Sequence, residues 1–341
     1  MSRLRTVPRR QILIGDALTQ LRRLPDAAVD SVVTSPPYFR LRDYQIDGQL
    51  GLEAAVDDWV GELHQVMSEI HRVLVPTGTL WLNLGDSYAT HAHEGAPRKS
   101  LLLGPERLAL RLVGEGWILR NAAVWAKTNP VPSPVRDRLS ATHELVYLFT
   151  KQARYFFDLD SIRLSHMSKP PTHHRVPIRA REAWRGPNVD DAAGLDKVKA
   201  DGRVGHPLGK NPGDVWRIAS SNYRGAHHAT FPIALADRAI RAGCPEARCS
   251  QCHLPWRRLT LRALGGTAVR GALGPSCDCG APGEPGLVLD PFFGAGTTGV
   301  AAEALGRDWL GVELNPEFAD LARQRIHAAP PIPSAHPPPA A

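Results

Sequence analysis

Residues 287–298 read LVLDPFFGAGTT. Three apolar residues followed by Asp290 predict a strand, the glycines predict a tight turn, and the following threonines open a helical pattern. A strand-to-helix turn of this kind lets the backbone approach a ligand closely at the carboxyl end of a parallel strand. The stretch therefore predicts an α/β fold with a ligand site at this turn.

Two acidic residues extend this predicted site. Glu313 ends the next predicted strand, at 308–312, and its carboxylate can accept hydrogen bonds from both hydroxyls of a ribose. The spacing differs from GxGxxG, so a nucleoside with a small substituent is expected rather than a dinucleotide. Asp16 follows the predicted strand 11–14, where it either binds an adenine amino group or simply caps the next helix.

Apolar runs and helical periodicity alternate through most of the chain. The predicted strands are 11–14, 29–34, 79–84, 122–126, 145–150, 286–290 and 308–312. The predicted helices are 16–24, 56–74, 107–113, 230–242, 297–305 and 316–326. This alternation predicts a doubly wound α/β domain with a mainly parallel, seven-stranded sheet.

Composition narrows the class of protein. The 341 residues contain 41 Lys and Arg against 34 Asp and Glu, and the resulting net charge of +7 favours a polyanionic partner but also suits an ordinary basic enzyme. The amino terminus has basic residues but no apolar run of signal-peptide length, and no stretch of the sequence approaches the roughly 20 apolar residues of a membrane helix. A cytoplasmic protein without membrane contact is expected.

All five cysteines lie between Cys244 and Cys279, too few and too clustered for a secreted disulfide scaffold. Cys249 with Cys252 and Cys277 with Cys279 form a CxxC and CxC pair, which predicts a structural zinc site in a knuckle at 245–285. Cys244 is interpreted as an ordinary buried cysteine. His253 is an alternative ligand in place of one thiolate.

Thr34-Ser35-Pro36-Pro37-Tyr38 follows the strand 29–34. Two prolines hold their carbonyls in an extended turn, while the serine hydroxyl adds an acceptor and the tyrosine ring a stacking face. These groups suit a planar heterocyclic amine that attacks a methyl donor. Considered alone, the segment also reads as a proline-rich stop after a strand.

Residues 163–188 contain six Lys and Arg, three His and a single acid, without apolar periodicity. Such a segment is either a disordered basic loop or an insertion that orders on a nucleic acid. An insertion at 164–224 is predicted to recognise the target. The proline-rich tail, 328–341, is expected to be a loose terminus.

Together these segments resemble the amino-methylating DNA methyltransferases, over nearly the whole chain. Ser35 to Tyr38 are similar to the catalytic motif of that family, 290–298 to its methyl-donor loop, and 313–316 to the acidic segment that follows. Residues 129–130 with 137–144, followed by 147–149, resemble the segment that lines the target-base pocket; 211–216 and 228–232 complete the pattern. The catalytic segment precedes the donor loop, which resembles the circularly permuted β group and not the glutamine-modifying relatives.

The resemblance implies S-adenosyl-L-methionine as methyl donor and duplex DNA as substrate, with the target base flipped out by a catalytic domain at 1–163 and 225–327. Its implied catalytic residues are Ser35, Pro36, Pro37 and Tyr38. Its implied donor-binding residues are Asp16, Ala17, Phe231, Asp290, Pro291, Phe292, Gly294, Gly296, Thr297, Thr298, Glu313 and Asn315. Its implied DNA contacts are Arg136, Arg138, His143, Arg175, Arg179 and Arg181. A companion restriction endonuclease and a monomeric or homodimeric state are also expected.

Serine at position 35 favours the N4 amine of cytosine, because adenine enzymes of this family mostly carry Asp or Asn there. An N6-adenine methyltransferase stays the alternative. A catalytically silent zinc-containing DNA-binding protein would share the basic insertion and the cysteines, but it would not need the Ser-Pro-Pro-Tyr turn and Glu313 together. An RNA or protein methyltransferase is a further alternative.

Overall fold

The computed structural model describes residues 6–165, 206–221, 231–262 and 268–329. Its strands are β1 Gln11–Ile14, β2 Val29–Thr34, β3 Leu74–Leu84, β4 Ile118–Lys127, β5 His143–Thr150, β6 Val215–Ile218, β7 Ala247–Cys249, β8 Arg257–Arg262, β9 Ala268–Gly274, β10 Gly283–Pro285, β11 Leu287–Asp290 and β12 Asp308–Glu313. Its helices are α1 Ala17–Arg23, α2 Val56–Val73, α3 Gly104–Gly114, α4 Ile233–Gly243, α5 Thr297–Ala304 and α6 Pro316–Ala328.

The main sheet has eight strands in the order β1-β12-β11-β2-β3-β5-β4-β6. All neighbours are parallel except β5, which runs antiparallel to both β3 and β4. The predicted fold class is confirmed, but the count of seven strands was one too few. The additional strand is β6, which pairs with β4 from Val124↔Val215 to Lys127↔Ile218. Four residues at a sheet edge carry little periodicity, so only the pairing reveals them.

Both ends of the chain contribute to one part of the sheet. β12, from the carboxyl-terminal region, lies between β1 and β11, and β11 pairs with β2. The strand of the glycine-rich turn thus comes late along the chain but lies beside the strand that carries the Ser-Pro-Pro-Tyr segment. The predicted permuted layout is confirmed.

Helices cover the sheet on two sides. α2 buries Trp59, Leu63, Met67 and Ile70, which are spaced at helical intervals of three or four residues along one stripe, in a core cluster that also contains alternate residues of β3. The intervening β3 residues face the other way, since Thr79 donates to the backbone carbonyl of Gly243 at the end of α4. Each fully buried large side chain contributes about 1.5–3 kcal/mol to folding.

The candidate ligand site lies at one edge of the sheet, where most strands end. β1, β2, β3, β4, β11 and β12 all end at this edge, and the antiparallel β5 begins there. We refer to it as the carboxyl edge. Loops that are far apart in sequence therefore meet along it, as in other open parallel sheets.

The chain divides into two compact units. The first, which carries the eight-stranded sheet, comprises Met1–Asp158, Gly213–Arg257 and Leu273–Ala341, and the second comprises Leu159–Pro212 and Arg258–Ala272. The last part of the predicted insertion 164–224, from Gly213 on, therefore belongs to the first unit, because β6 pairs with the main sheet. The predicted knuckle 245–285 is divided, with its cysteines in the first unit and most of the β8–β9 hairpin in the second.

Several predictions fall outside the described residues: the basic residues Arg175, Arg179 and Arg181, and all but the first two positions of the predicted tail. Across the helices that the structure does describe, none combines the length and the apolar character that a bilayer span requires.

Candidate active site

The glycine-rich turn between β11 and α5 is pressed against the sheet. Phe293 stacks on Trp309 with ring centroids 5.3 Å apart. A Cβ atom at Gly311 would lie 2.4 Å from the Phe293 ring, so a larger residue has no room there. Gly294 and Gly296 have φ angles of 49° and 73°, a backbone region that favours glycine. The turn is thus packed tightly in the conformation that exposes its backbone to a ligand.

Glu313 ends β12 opposite this turn. One carboxylate oxygen accepts a hydrogen bond from the backbone amide of Gly294 at 2.7 Å, and the other accepts from Asn315 at 2.9 Å. Burial raises the pKa of this carboxyl group above its ordinary value. Each carboxylate oxygen can accept a second hydrogen bond, so the group remains able to bind two neighbouring hydroxyls.

A cleft of about 860 Å³, measured to its open mouth, runs past these groups at the carboxyl edge. Ser35, Pro37 and most of the predicted donor-binding residues line it. The latter are Asp16, Ala17, Phe231, Pro291, Phe292, Gly294, Thr297, Glu313 and Asn315.

Three predicted donor-binding residues lie behind the wall of this cleft. Asp290 is 1% exposed and accepts hydrogen bonds from the hydroxyls of Thr34 and Thr298, each at 2.7 Å. Burial raises the pKa of Asp290 to about 7. Gly296 packs against Ala322, where a Cβ atom would be 2.9 Å away. Asp290, Thr298 and Gly296 therefore hold the turn in place and do not face the ligand space.

Asp16 combines the two roles that the sequence allows. Its carboxylate accepts from the Thr19 amide at 2.8 Å and so caps α1, and the residue also lines the cleft. Sequence reasoning missed a further part of the wall. The loop between β2 and α2 contributes Tyr44, Ile46, Gln49 and Leu50, and α6 contributes Phe318, whose ring meets Tyr44 edge-on.

The Ser-Pro-Pro-Tyr segment leaves the end of β2 beside the cleft. The two proline carbonyls differ. Trp59 donates its indole N–H to the Pro37 carbonyl at 2.9 Å, whereas the Pro36 carbonyl receives no hydrogen bond from any residue that the structure describes. Of the two carbonyls, that of Pro36 thus keeps its acceptor positions open. Pro36 itself is buried, and neither Pro36 nor Tyr38 is among the residues that line the cleft.

Tyr38 is held by its hydroxyl group and by the face of its ring. The hydroxyl donates to Glu144 at 2.6 Å and lies 3.2 Å from Ser35 Oγ. Gly85 packs on the ring, where a Cβ atom would be 2.8 Å away. Burial and the adjacent Glu144 carboxylate raise the pKa of Tyr38 well above its ordinary value, which keeps the phenol protonated.

Glu144 also accepts from Asn83 Nδ2 at 3.0 Å and from Lys127 Nζ at 2.5 Å. Sequence reasoning placed Glu144 in the predicted base-pocket segment but missed both of these partners. A signal for them exists: Asn83 and Lys127 lie at the carboxyl ends of β3 and β4, the kind of position that identified Asp16 and Glu313.

The predicted DNA contacts that the structure describes lie in or next to the loop from β4 to β5. Arg136, Arg138 and His143 are exposed, and the Arg138 guanidinium lies 3.7 Å from the centroid of the Tyr88 ring. Leu139 in the same loop is 90% exposed. The loop offers cations and an apolar side chain at the carboxyl edge, where a nucleic-acid backbone and an opened base stack could be contacted.

The Sγ atoms of Cys249, Cys252, Cys277 and Cys279 all lie within 4.8 Å of one another. Cys244 is buried and is not part of this group. His253 Nδ1 lies 3.2 Å from the carbonyl of Ala27, so this nitrogen has a partner away from the thiols. The cluster adjoins the end of the sheet remote from the cleft, because Arg248 bonds Asp30 near the start of β2.

Comparison with known proteins agrees with this geometry. The family model described as DNA methylase, of the N6 and N4 class, matches residues 29–324. The chain is 32% identical over 333 residues to the type II methyltransferase M.Cfr9I of Citrobacter freundii, an alignment that covers 92% of this chain and 86% of that protein.

Two solved structures share the fold. The cytosine-N4-specific PvuII DNA methyltransferase aligns with a TM-score of 0.56 at 20% identity, over 94% of this chain and 87% of that one. A Thermus thermophilus protein solved in complex with S-adenosyl-L-methionine aligns with a TM-score of 0.50 at 22% identity, over 92% and 93%. The chain therefore belongs to the family of DNA methyltransferases that modify the N4 amine of cytosine or the N6 amine of adenine, in the group found in restriction–modification systems.

Proposed function

We propose that this protein is a site-specific methyltransferase that transfers a methyl group from S-adenosyl-L-methionine to the N4 amine of cytosine in duplex DNA. The observation that carries the proposal is the single cleft that both Ser35 and Glu313 line. Ser35 offers an acceptor suited to a base amine, and Glu313 offers a carboxylate suited to a ribose, on the walls of the same space.

The residues present fit the proposed donor. The two remaining acceptor positions of Glu313 match a ribose diol, and Asp16 offers a carboxylate oxygen for an adenine amino group. Phe231 and Phe292 supply apolar walls. When bound, the donor supplies an electrophilic methyl group on a sulfonium sulfur. The same fold holds this donor in the Thermus thermophilus protein.

The chain's own groups orient the amine. With the cytosine flipped out of the duplex, Ser35 Oγ and the Pro36 carbonyl accept its two hydrogens, and the Tyr38 ring stacks on the base. The amine nitrogen forms a bond to the methyl carbon while the carbon–sulfur bond breaks and leaves its electron pair on sulfur. The nitrogen then loses one proton to water. Arg136, Arg138 and the basic residues of 163–188 hold the DNA phosphates.

The choice of cytosine rests on Ser35. A carboxylate or an amide occupies this position in most adenine enzymes of the family, and serine is typical of cytosine-N4 enzymes. The N6 amine of adenine is the alternative, because two acceptors and a stacked ring also suit it.

The test is to incubate purified protein with labelled donor and, in parallel, duplex DNA, RNA and protein, and then to digest the DNA to nucleosides for mass analysis. We expect N4-methyldeoxycytidine. N6-methyldeoxyadenosine would overturn the cytosine assignment alone. Label confined to RNA or protein would overturn the substrate assignment, and donor binding without transfer to any substrate would favour the silent DNA-binding protein.

Ser35→Ala serves as the matched variant. It removes one acceptor for the amine without touching Glu313, so we expect turnover to fall far more than donor affinity. An equal loss of both would mean that the role of Ser35 is different.

We also propose that the four clustered cysteines hold one structural Zn²⁺ ion. Tetrahedral coordination at a Zn–S distance of about 2.3 Å needs sulfur atoms about 3.8 Å apart. The four sulfur atoms all lie within 4.8 Å of one another, which is compatible with that arrangement. Each pair is followed by a residue with a left-handed φ, His253 at 58° and Gly280 at 65°, so the chain turns back sharply after each second cysteine. The ion would close the base of the loop that carries β8 and β9.

Metal analysis of the purified protein tests this site. We expect one zinc per chain, its loss in Cys252→Ser and its retention in Cys244→Ala. A protein that is folded, free of metal and reactive at all four clustered thiols would refute the zinc site.

A further inference from the structure

The hydroxyl of Tyr38 lies between a carboxylate, Glu144, and another hydroxyl, Ser35. Glu144 Oε2 lies 2.6 Å from it, and Ser35 Oγ lies 3.2 Å from it on the side of the cleft. A phenol has a single proton to donate, so it can donate to only one of these two neighbours. Which neighbour receives that proton decides the direction of both hydrogen bonds.

Glu144 is the stronger acceptor. Its side chain is 14% exposed, and the Lys127 ammonium group lies 2.5 Å from its other oxygen, Oε1. With that cation beside it, the group is an ionised carboxylate, which can only accept, and Asn83 donates to it as well. The Tyr38 proton therefore points to Glu144. Charge-assisted hydrogen bonds of this kind are about twice as strong as neutral ones.

Ser35 must then act as the donor in its contact with Tyr38. Its hydroxyl proton points to the Tyr38 oxygen, and no second partner of Ser35 Oγ occurs within the described ranges. The lone pairs of Ser35 Oγ thereby remain available to accept, and Ser35 lines the cleft. A serine hydroxyl can donate or accept, whereas an amine that is about to be methylated needs an acceptor.

We propose that Glu144 is a positioning residue that acts through Tyr38 to fix Ser35 as a hydrogen-bond acceptor for the target amine. Each group donates its hydrogen to the next: the amine to Ser35, Ser35 to Tyr38, and Tyr38 to Glu144. The Lys127 ammonium group balances the charge of the Glu144 carboxylate. The inference concerns hydrogen-bond direction and transfers no proton. It rests on the proposed methyltransferase function.

Glu144→Gln tests the direction. An amide has one accepting oxygen and one donating NH₂, and the oxygen is expected to accept from the Lys127 ammonium group. The NH₂ then faces Tyr38, which turns its proton to Ser35 and makes Ser35 present its own proton to the amine. We expect kcat to fall by about 10- to 100-fold, the range that one charge-assisted hydrogen bond covers. Donor Kd should stay close to wild type, whereas Tm should fall, because the same NH₂ group also faces Asn83 Nδ2, which is another donor.

A double-mutant cycle with Tyr38→Phe separates this role from general support of the fold. Phenylalanine keeps the ring but removes the hydroxyl through which Glu144 acts. We expect Glu144→Gln to change kcat less than about 3-fold in the Tyr38→Phe background. Glu284→Gln is the matched control, because Glu284 is a half-buried carboxylate that binds Arg9 and Arg248 away from the cleft. The fold-change in kcat caused by Glu284→Gln should be the same in the wild-type and Tyr38→Phe backgrounds.

A rescue gives a second readout that does not depend on the stability of the single variant. Lys127→Met removes the cation that claims the amide oxygen, so in Glu144→Gln/Lys127→Met the oxygen can turn to Tyr38 and Asn83. At saturating DNA, this double variant should turn over faster than Glu144→Gln alone.

The outcomes separate the two proposals. A wild-type protein that binds the donor but methylates no DNA would refute the proposed function. A wild-type protein that methylates DNA, with the Glu144→Gln and Tyr38→Phe effects simply multiplying and without rescue by Lys127→Met, would refute the role of Glu144 and leave the function intact.

Discussion

Glu313→Gln is the change that most directly probes the donor half of the cleft. The carboxylate accepts from the backbone amides of Gly294 and Asn315 at 2.7 and 2.9 Å and retains two further acceptor positions. Glutamine is almost the same size but has one accepting oxygen. Its NH₂ must face one of the two amides, and one of the two ribose hydroxyls loses its acceptor.

The size of the effect follows from these contacts. A hydrogen bond to a charged group contributes about 1.5–3 kcal/mol, so the loss of one donor hydroxyl should raise the donor Kd by about 10- to 100-fold. Stability should change much less. The unpaired amide costs about 1–3 kcal/mol, but the variant also removes a buried charge, whose unfavourable burial is seen in the raised pKa of Glu313.

Isothermal titration with S-adenosyl-L-methionine and with S-adenosylhomocysteine measures the affinity, and urea unfolding measures the stability. Glu317→Gln is the control, because it makes the same substitution at an exposed position four residues away. A donor Kd within 3-fold of wild type in a folded Glu313→Gln protein would refute the ribose-binding role.

Three further predictions concern stability and DNA binding. The pKa of Asp290 is raised to about 7 from 3.8, so its folded state binds more protons, and its contribution to stability is full below about pH 4 and lost as the pH rises to 7. Between pH 4 and 8, the free energy of unfolding in urea should therefore fall by an amount on the order of a few kcal/mol, and Asp290→Asn should abolish this fall. The same pH dependence in the wild type and in Asp290→Asn would contradict this. Gly311→Ala should lower the free energy of unfolding by about 1–3 kcal/mol or more, because its Cβ would meet the Phe293 ring at 2.4 Å, and an unchanged Tm would show that the ring can move. Arg136→Ala and Arg138→Ala should each reduce the slope of log K against log salt for DNA by about one, as read by fluorescence anisotropy, and an unchanged slope would remove that residue from the phosphate contacts.

Most of the fold was predictable from the sequence, because long apolar runs and clear periodicity identify the central strands and helices. The strands 11–14 and 29–34 were predicted at their observed bounds. β3 was predicted to begin at Thr79, after Pro76 and Gly78, but it begins at Leu74, since Leu74 pairs with Val29 before a register shift. β6 was missed because its four residues are defined by pairing with β4 alone.

Parts of the site were predictable for a related reason. Asp16, Ser35 and Glu313 follow predicted strands, and the carboxyl ends of parallel strands share one edge. Which of these residues face the cleft was not predictable. Asp290 and Thr298 belong to the same motif as Gly294, yet their side chains bond to each other and to Thr34 behind the wall.

The sequence by itself determined the family, the order of the motifs and the residue types that the chemistry needs, because these depend on local patterns along the chain. Only the tertiary structure decided which acceptors are free. It shows Trp59 on the Pro37 carbonyl, leaves the Pro36 carbonyl unbonded by the described residues, and brings Glu144 to Tyr38. Hydrogen-bond direction depends on partners that are distant in sequence and close in space, so no local pattern contains it.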